Sequence, residues 1–320
     1  MKLEDYALVG DCETAALVGL NGSIDWLCWP AFSSPACFAA LLGSSKSGRW
    51  LIAPKKQPQK VTRKYRDHTL ILETTFEISL GIVVLTDFMP IRERHSDVVR
   101  IVRCIQGRVG MEMEVCVRFN YGRTVPWTGT FRRNEWAAAA GTGVVDLRTQ
   151  EHLRSDHAVA SAEFSLEDGE QRSFVLTYVS AEEPPPRRVN AQVALRQTEA
   201  YWLKWTGKSQ YIGAWKEAVG RSLITLKRRS TDADRVWDAR DHATVGRRQQ
   251  SYPIPPRRKN LFKIDWAKDG VRRGLVLCTR FCTQMAAICD FYAFLCLEKA
   301  CLARISADHR RRRSCPLNAH

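Results

Sequence analysis

The residues that could do chemistry are Asn120, Tyr121, Arg123 and Trp127, crowded into NYGRTVPW, and the pair Asp25 and Trp29 in SIDWLCWP. A loop offering two aromatic rings beside an amide and a guanidinium can stack on a sugar or seat a partner domain, and the interface role is preferred. Asp25 is the one carboxylate on an apolar hairpin, so it needs a partner or a wet edge. Nucleophilic and cofactor chemistry find no support. There is no Gly-x-Ser-x-Gly, no GxGxxG, no complete phosphate-loop motif and no CxxC pair. His68, His95, His152 and His157 lack metal-ligand spacing and read as isolated surface residues, and Cys278, Cys282, Cys289, Cys296 and Cys301 have the wrong spacing for zinc. No catalytic residue, metal or cofactor is expected.

The elements that must position these residues are short strands. Asn21-Gly22 invites a two-residue primed turn with positive φ at both positions, folding 14–20 back on 23–29. Counting outward pairs Gly19 with Ile24, Leu17 with Trp26 and Ala15 with Cys28 on one face, and Val18 with Asp25 and Ala16 with Leu27 on the other. Trp26 then belongs to the core. Ser34-Pro35 before ACFAALLG reads as the start of a short helix ending at Gly43. A strand follows at 49–53, then a hairpin of 69–78 with 82–88 and a pair of 97–105 with 111–119. In the last of these, Met111, Met113, Val115, Val117 and Phe119 face one way and Glu112, Glu114, Cys116 and Arg118 the other. Residues 124–130 read as a loop. Alternating segments resume at 136–140, 144–148 and 158–166, and Asp168-Gly169 turns the last into 173–180. Many short strands with almost no helix before 180 predict a mainly β fold, a two-sheet antiparallel β-sandwich rather than a βαβ arrangement.

Pro184-Pro185-Pro186 ends the sheet region. Asn190 caps a helix to about Trp205, before Gly207, and a second helix carries Ile212, Trp215, Val219, Leu223 and Leu226 on one stripe. The expected domains are a β-sandwich over 1–183, a helical connector over 184–227 and a basic, Cys-rich tail, irregular or helical, over 228–320.

Charge divides at the same place. The whole chain carries a formal +15, of which +4 falls in 1–227 and +11 in 228–320. The Arg310 to Arg313 run reads as a solvated end rather than a specific nucleic-acid grip. The apolar stretch 274–297 is long enough to span a bilayer, yet Arg280, Gln284 and Asp290 argue against membrane insertion. An odd count of 11 cysteines, with no secretory leader after MKLEDYALVG, points to free thiols in the cytoplasm.

The opening EDYALVGDCETAALVGLNGSIDWLCWPAFSSPACFAALLG resembles the start of bacterial and archaeal glycoside hydrolase family 15 proteins, the glucoamylase and trehalase-like enzymes. The likeness continues more loosely through GRWLIAP, VVLTDFMP, VVRIVRCIQGRVGMEMEVCVRFNYGR and RSLITLK. That resemblance implies an N-terminal sandwich of the supersandwich type, joined by linking helices to a catalytic (α/α) barrel. It also implies hydrolysis of α-glucosidic bonds, in maltooligosaccharides or trehalose, by two barrel glutamates acting as general acid and base. Asp25 and Trp29 would then border the sugar pocket or the barrel interface. No barrel-like sequence is recognisable after Lys227, so the resemblance implies a non-catalytic N-terminal domain, truncated and inactive alone. Its partners would be an α-glucoside or the barrel, and an exposed connector stripe would invite homo-oligomers. The abrupt change at 227 is what a shift of reading frame would produce. The competing readings are a carbohydrate-binding or scaffolding module and a tail that binds nucleic acid.

Overall fold

The computed structural model describes residues 1–209 together with Gly220, Arg221, Leu223 and Ile224. The tail readings, and the helical stripe apart from Leu223, lie outside the described residues. The rest is a mainly β, two-sheet antiparallel sandwich with one long helix. One sheet runs β1 (Tyr6–Gly10), β2 (Ala15–Gly19), β3 (Ser23–Cys28), β5 (Arg49–Pro54), β10 (Val109–Cys116), β15 (Val159–Leu166) and β14 (Arg154–Asp156), with β4 (Ala36–Phe38) also on β3. The other runs β11 (Trp127–Arg132), β12 (Glu135–Ala140), β13 (Gly143–Thr149), β16 (Gln171–Ser180), β9 (Ser96–Gly107), β8 (Gly81–Phe88), β7 (Leu72–Ile78) and β6 (Lys60–Tyr65).

Strand alternation decides what lies between the sheets. Met111, Met113, Val115 and Val117 face inward as their period of two requires, meeting Val83, Leu85, Val98, Val102, Phe174 and Leu176 of the other sheet. Asp87 and Arg100 occupy two of the inward positions on β8 and β9, fully buried and ion-paired at 2.7 Å. The second sheet is covered on its outer face as well. There α1 (Ala191–Thr206) lays Ala191, Ala194 and Leu195 on Ile71, Phe88, Val99, Ile101 and Val175. Further along, Trp202 meets Leu70, Cys12 and Ile224. This double burial is why Val98 and Val99, on opposite faces of β9, are both apolar.

The β2–β3 hairpin forms, but by a different turn. Only Gly22 takes a positive φ, 80°, and its N–H donates to Gly19 O at 3.0 Å, so Leu20, Asn21 and Gly22 make a three-residue loop. The longer loop moves the pairing next to the turn by one residue, to Val18 with Ile24. A bulge at Asp25 then restores Leu17 with Trp26 and Ala16 with Leu27. Ile24 therefore enters the core, whereas Trp26 is half-buried on the outer side, against Cys28, Ala36 and Ala39.

Three other expectations are corrected. The short helix after Pro35 is instead β4, followed by a single turn over Ala40–Leu42 that closes before Gly43. Consecutive burial of Ala36, Cys37, Phe38 and Ala39 suits a strand between covering layers, while a surface helix would bury one stripe. Residues 97–105 and 111–119 are not a hairpin, because β9 and β10 belong to different sheets. The chain crosses between layers at Gly107, and again between β15 and β16 at Asp168-Gly169. These corners touch: the Cys104 N–H donates to Glu170 O at 2.9 Å and the Gly169 N–H to Cys104 O at 3.1 Å. Finally, the stretch read as a loop over 124–130 already contains the start of β11.

Candidate functional site

The polar centre of the sandwich grows out of GDCET, between β1 and β2. Asp11 is buried, and its Oδ1 accepts the N–H groups of Glu13 and Thr14 at 2.9 and 2.7 Å, shaping the link as an Asx turn. Its Oδ2 accepts the Ser96 hydroxyl at 2.7 Å and the Arg92 guanidinium at 2.8 and 3.1 Å. Arg92 also donates to Glu13 Oε2 at 2.9 Å and Pro30 O at 2.6 Å. The circuit closes through Trp29, whose indole N–H donates to Ser96 Oγ at 2.8 Å. One charged cluster thus pins the β1–β2 link, the end of β3 and the loop before β9.

Beside this cluster lies a groove of about 970 Å³, walled by Pro90, His95 and Asp97 on one side and by Pro185, Gln197 and Tyr201 on the other. Asp97 Oδ1 accepts the Thr177 hydroxyl at 2.5 Å. Burial pushes the Asp97 carboxyl up to about 6; the Thr177 hydrogen bond and the nearby His95 and Arg92 offset this only in part. His95, expected at the surface, is largely buried, and its Nε2 stands 3.2 Å from Glu183 Oε2. The groove therefore offers a carboxyl that exchanges its proton near mildly acidic pH, against rigid proline walls. Among the described residues no cluster of three or more His, Cys, Asp or Glu side chains is placed to hold a metal ion.

The residues singled out from sequence fall into three places. Asp25 is 7% exposed, at the bulge of β3, where its carboxylate accepts the Tyr6 hydroxyl at 2.6 Å and the Ser23 hydroxyl at 2.5 Å. Trp29 is 3% exposed, with its ring 5.9 Å from that of Tyr178. Asn120, Tyr121 and Arg123 share one tight turn, in which Asn120 and Tyr121 have φ of 53° and 59°. The Asn120 amide donates to Thr124 Oγ1 at 2.9 Å, and the Tyr121 ring, 49% exposed, stands 6.0 Å from Trp26. Trp127 stands apart at the start of β11, 88% exposed. Asp11, Arg92, Ser96 and Asp97 were missed by the sequence reading. Their signal was charge inside apolar text, DCE between two strands and RERHSD before a third.

The family profile described as "Trehalase-like, N-terminal" matches residues 1–171, just over half of the chain. The chain belongs to that family. A trehalase of Thermoplasma volcanium is 27% identical over 232 residues, 71% of this chain and 37% of the relative. A trehalase of Mycobacterium tuberculosis is 26% identical over 253 residues, 70% of this chain and again 37% of the relative. A bacterial glucoamylase, solved with acarbose, aligns over 69% of this chain and 40% of its own, with a TM-score of 0.48 and 8% identity. The trehalase-like match ends at the first residue of β16, so it takes in fifteen of the sixteen strands found among the described residues. The resemblance seen in the opening residues thus leads to the right family, and the chain spans about 37% of the length of the trehalases named.

Proposed function

We propose that this chain acts as the non-catalytic N-terminal domain of a family 15 α-glucosidase, bracing a catalytic part rather than cutting sugars itself. One observation carries this reading: the trehalase-like profile covers the sandwich, while the trehalases extend well beyond the shared stretch. Trehalose is the first substrate to test, because the relatives are trehalases; maltooligosaccharides are the second. In this reading the sandwich occupies 1–183, the connector 184–227 and the tail 228–320. Asn120, Tyr121, Arg123 and Trp127 are interface residues, and Asp25 and Trp29 border the barrel interface or the sugar pocket. A cytoplasmic location is supported by five buried free thiols, Cys12, Cys28, Cys37, Cys104 and Cys116. Among the described residues no helix is long and apolar enough to cross a membrane. Self-association through the connector would draw on Val193 and Leu203, the exposed apolar side chains of α1.

The test is glucose release from trehalose and maltooligosaccharide by the purified chain. No release above a blank is expected, and a fusion to the remaining part of the Thermoplasma volcanium trehalase should hydrolyse its substrate. Release by the chain alone would overturn the proposal. A second reading, a glycan-binding module, is favoured by the exposed Tyr121 ring beside the half-buried Trp26, and predicts binding without turnover.

A further inference from the structure

The flank of the sandwich at β11 ends in an exposed strand. β11 pairs with β12 on one side and, among the described residues, with no strand on the other. Such edges are usually shortened, charged or covered, yet the segment Trp127-Thr128-Gly129-Thr130-Phe131 carries no charge. Thr128 and Thr130 lie opposite Ala138 and Trp136, which are buried in the sandwich, so Trp127 and Gly129 face outward. The bulge falls at Phe131, whose ring lies over Gly129: a Cβ there would stand 4.0 Å from the Phe131 Cζ. Trp127 and Phe131, 88% and 75% exposed, therefore share the outer face.

The segment reads aromatic-Thr-Gly-Thr-aromatic from either end. Antiparallel pairing of two copies about Gly129 sets Trp127 opposite the partner's Phe131 twice, and Thr128 opposite the partner's Thr130 twice. A slip of two residues places an aromatic ring opposite glycine instead, so the register is singled out. Beyond the bulge β11 resumes with Arg132 opposite Glu135, whose carboxylate lies 3.7 Å from the guanidinium and takes up its charge within its own chain. We propose that β11 is a self-pairing edge, through which two copies of this chain form a two-fold dimer with one continuous sheet. Each ring can offer on the order of 150–250 Å². Four rings and two paired backbones thus reach the low end of what a specific interface buries, about 1,200 Å², and the dimer is concentration-dependent.

The experiment is sedimentation equilibrium of the full chain over a concentration series, for wild type, Trp127→Lys, Phe131→Glu and the double variant. Wild type should rise from one chain toward two. Each single change should weaken association at least about tenfold. The double variant should lose less association than the two single losses summed, because every Lys at 127 then faces the partner's Glu at 131. Thermal unfolding like that of wild type shows that the single variants are folded. A wild type that stays at one chain overturns the proposal, as do single variants that associate as well as wild type. So does a folded double variant whose loss equals or exceeds the sum of the two single losses. None of these outcomes bears on glucose release, so this inference and the proposed function fail separately.

Discussion

Arg100 reaches from one sheet to the other. Its guanidinium pairs with Asp87 and donates to Trp50 O and Gly22 O, each at 2.7 Å, so a residue of β9 ties down both β5 and the β2–β3 turn. Gly22 cannot be replaced there, since a Cβ would stand 2.3 Å from Ile52 O. Removing one member of a buried pair leaves a charge without a counterion, a cost of about 3–5 kcal/mol. Arg100→Met should lower the stability measured by urea unfolding by about that much. Adding Asp87→Leu should recover most of the loss; a double variant no better than the single would count against the pair. Asp97 makes a second prediction. With its carboxyl raised from 3.8 to about 6, the folded chain keeps a proton that the unfolded chain has released. Its stabilising contribution is therefore complete below about pH 4 and is lost as pH rises through about 6, at ~1.4 kcal/mol per unit. Asp97→Asn keeps an acceptor for Thr177 and removes the charge. Its melting temperature should match wild type near about pH 4 and exceed it near about pH 8. A gap that does not change with pH would rule this out.

At the scale of the element, α1 starts where its cap says it should. Asn190 Oδ1 accepts the N–H groups of Gln192 and Val193, both at 3.1 Å, satisfying two otherwise orphaned donors. Asn190→Ala should cost about 1 kcal/mol. Hydrogen exchange should quicken in the first turn of α1 while the amides of β9 keep their protection. Capping is legible in sequence because its chemistry lies within three residues, and so is the alternation along β10. The β2–β3 register came out right far from the turn only because two displacements cancel, a longer loop and the bulge at Asp25. Asp168-Gly169 looks the same locally at a hairpin and at a corner between sheets; only the sheet that covers each strand tells them apart. The Asp11–Arg92 pair joins residues 81 positions apart, and no local pattern announces such a meeting. Trp29 and Asp25 were found by residue type, but the burial of Trp29 follows from that same long-range closure and that of Asp25 from Tyr6 on β1.

For the whole molecule, the two flanks of the sandwich differ. At one, the Tyr65 hydroxyl on β6 donates to Leu8 O at 2.9 Å and accepts the Leu8 N–H at 2.8 Å, while Arg63 Nη1 donates to Asp5 O at 2.7 Å and to Val18 O at 3.2 Å. At the other, the Thr128 hydroxyl donates to His157 O at 2.7 Å, the Trp136 indole N–H to Ser155 Oγ at 3.1 Å and the Leu153 N–H to Arg133 O at 2.7 Å, all beneath the exposed rings of β11. The closed flank carries the N-terminal strand, and the open one is where a neighbour would be met. The order of strands also sets a schedule for synthesis. The first layer needs β15 and the second needs β16, so neither can be completed until the ribosome has released the chain through Leu166 or Ser180. At about 5–20 residues per second, β1 waits on the order of ten seconds for the strands that complete its layer. Over that interval the nascent chain holds a long, greasy, half-built surface, and a chaperone has time to find it.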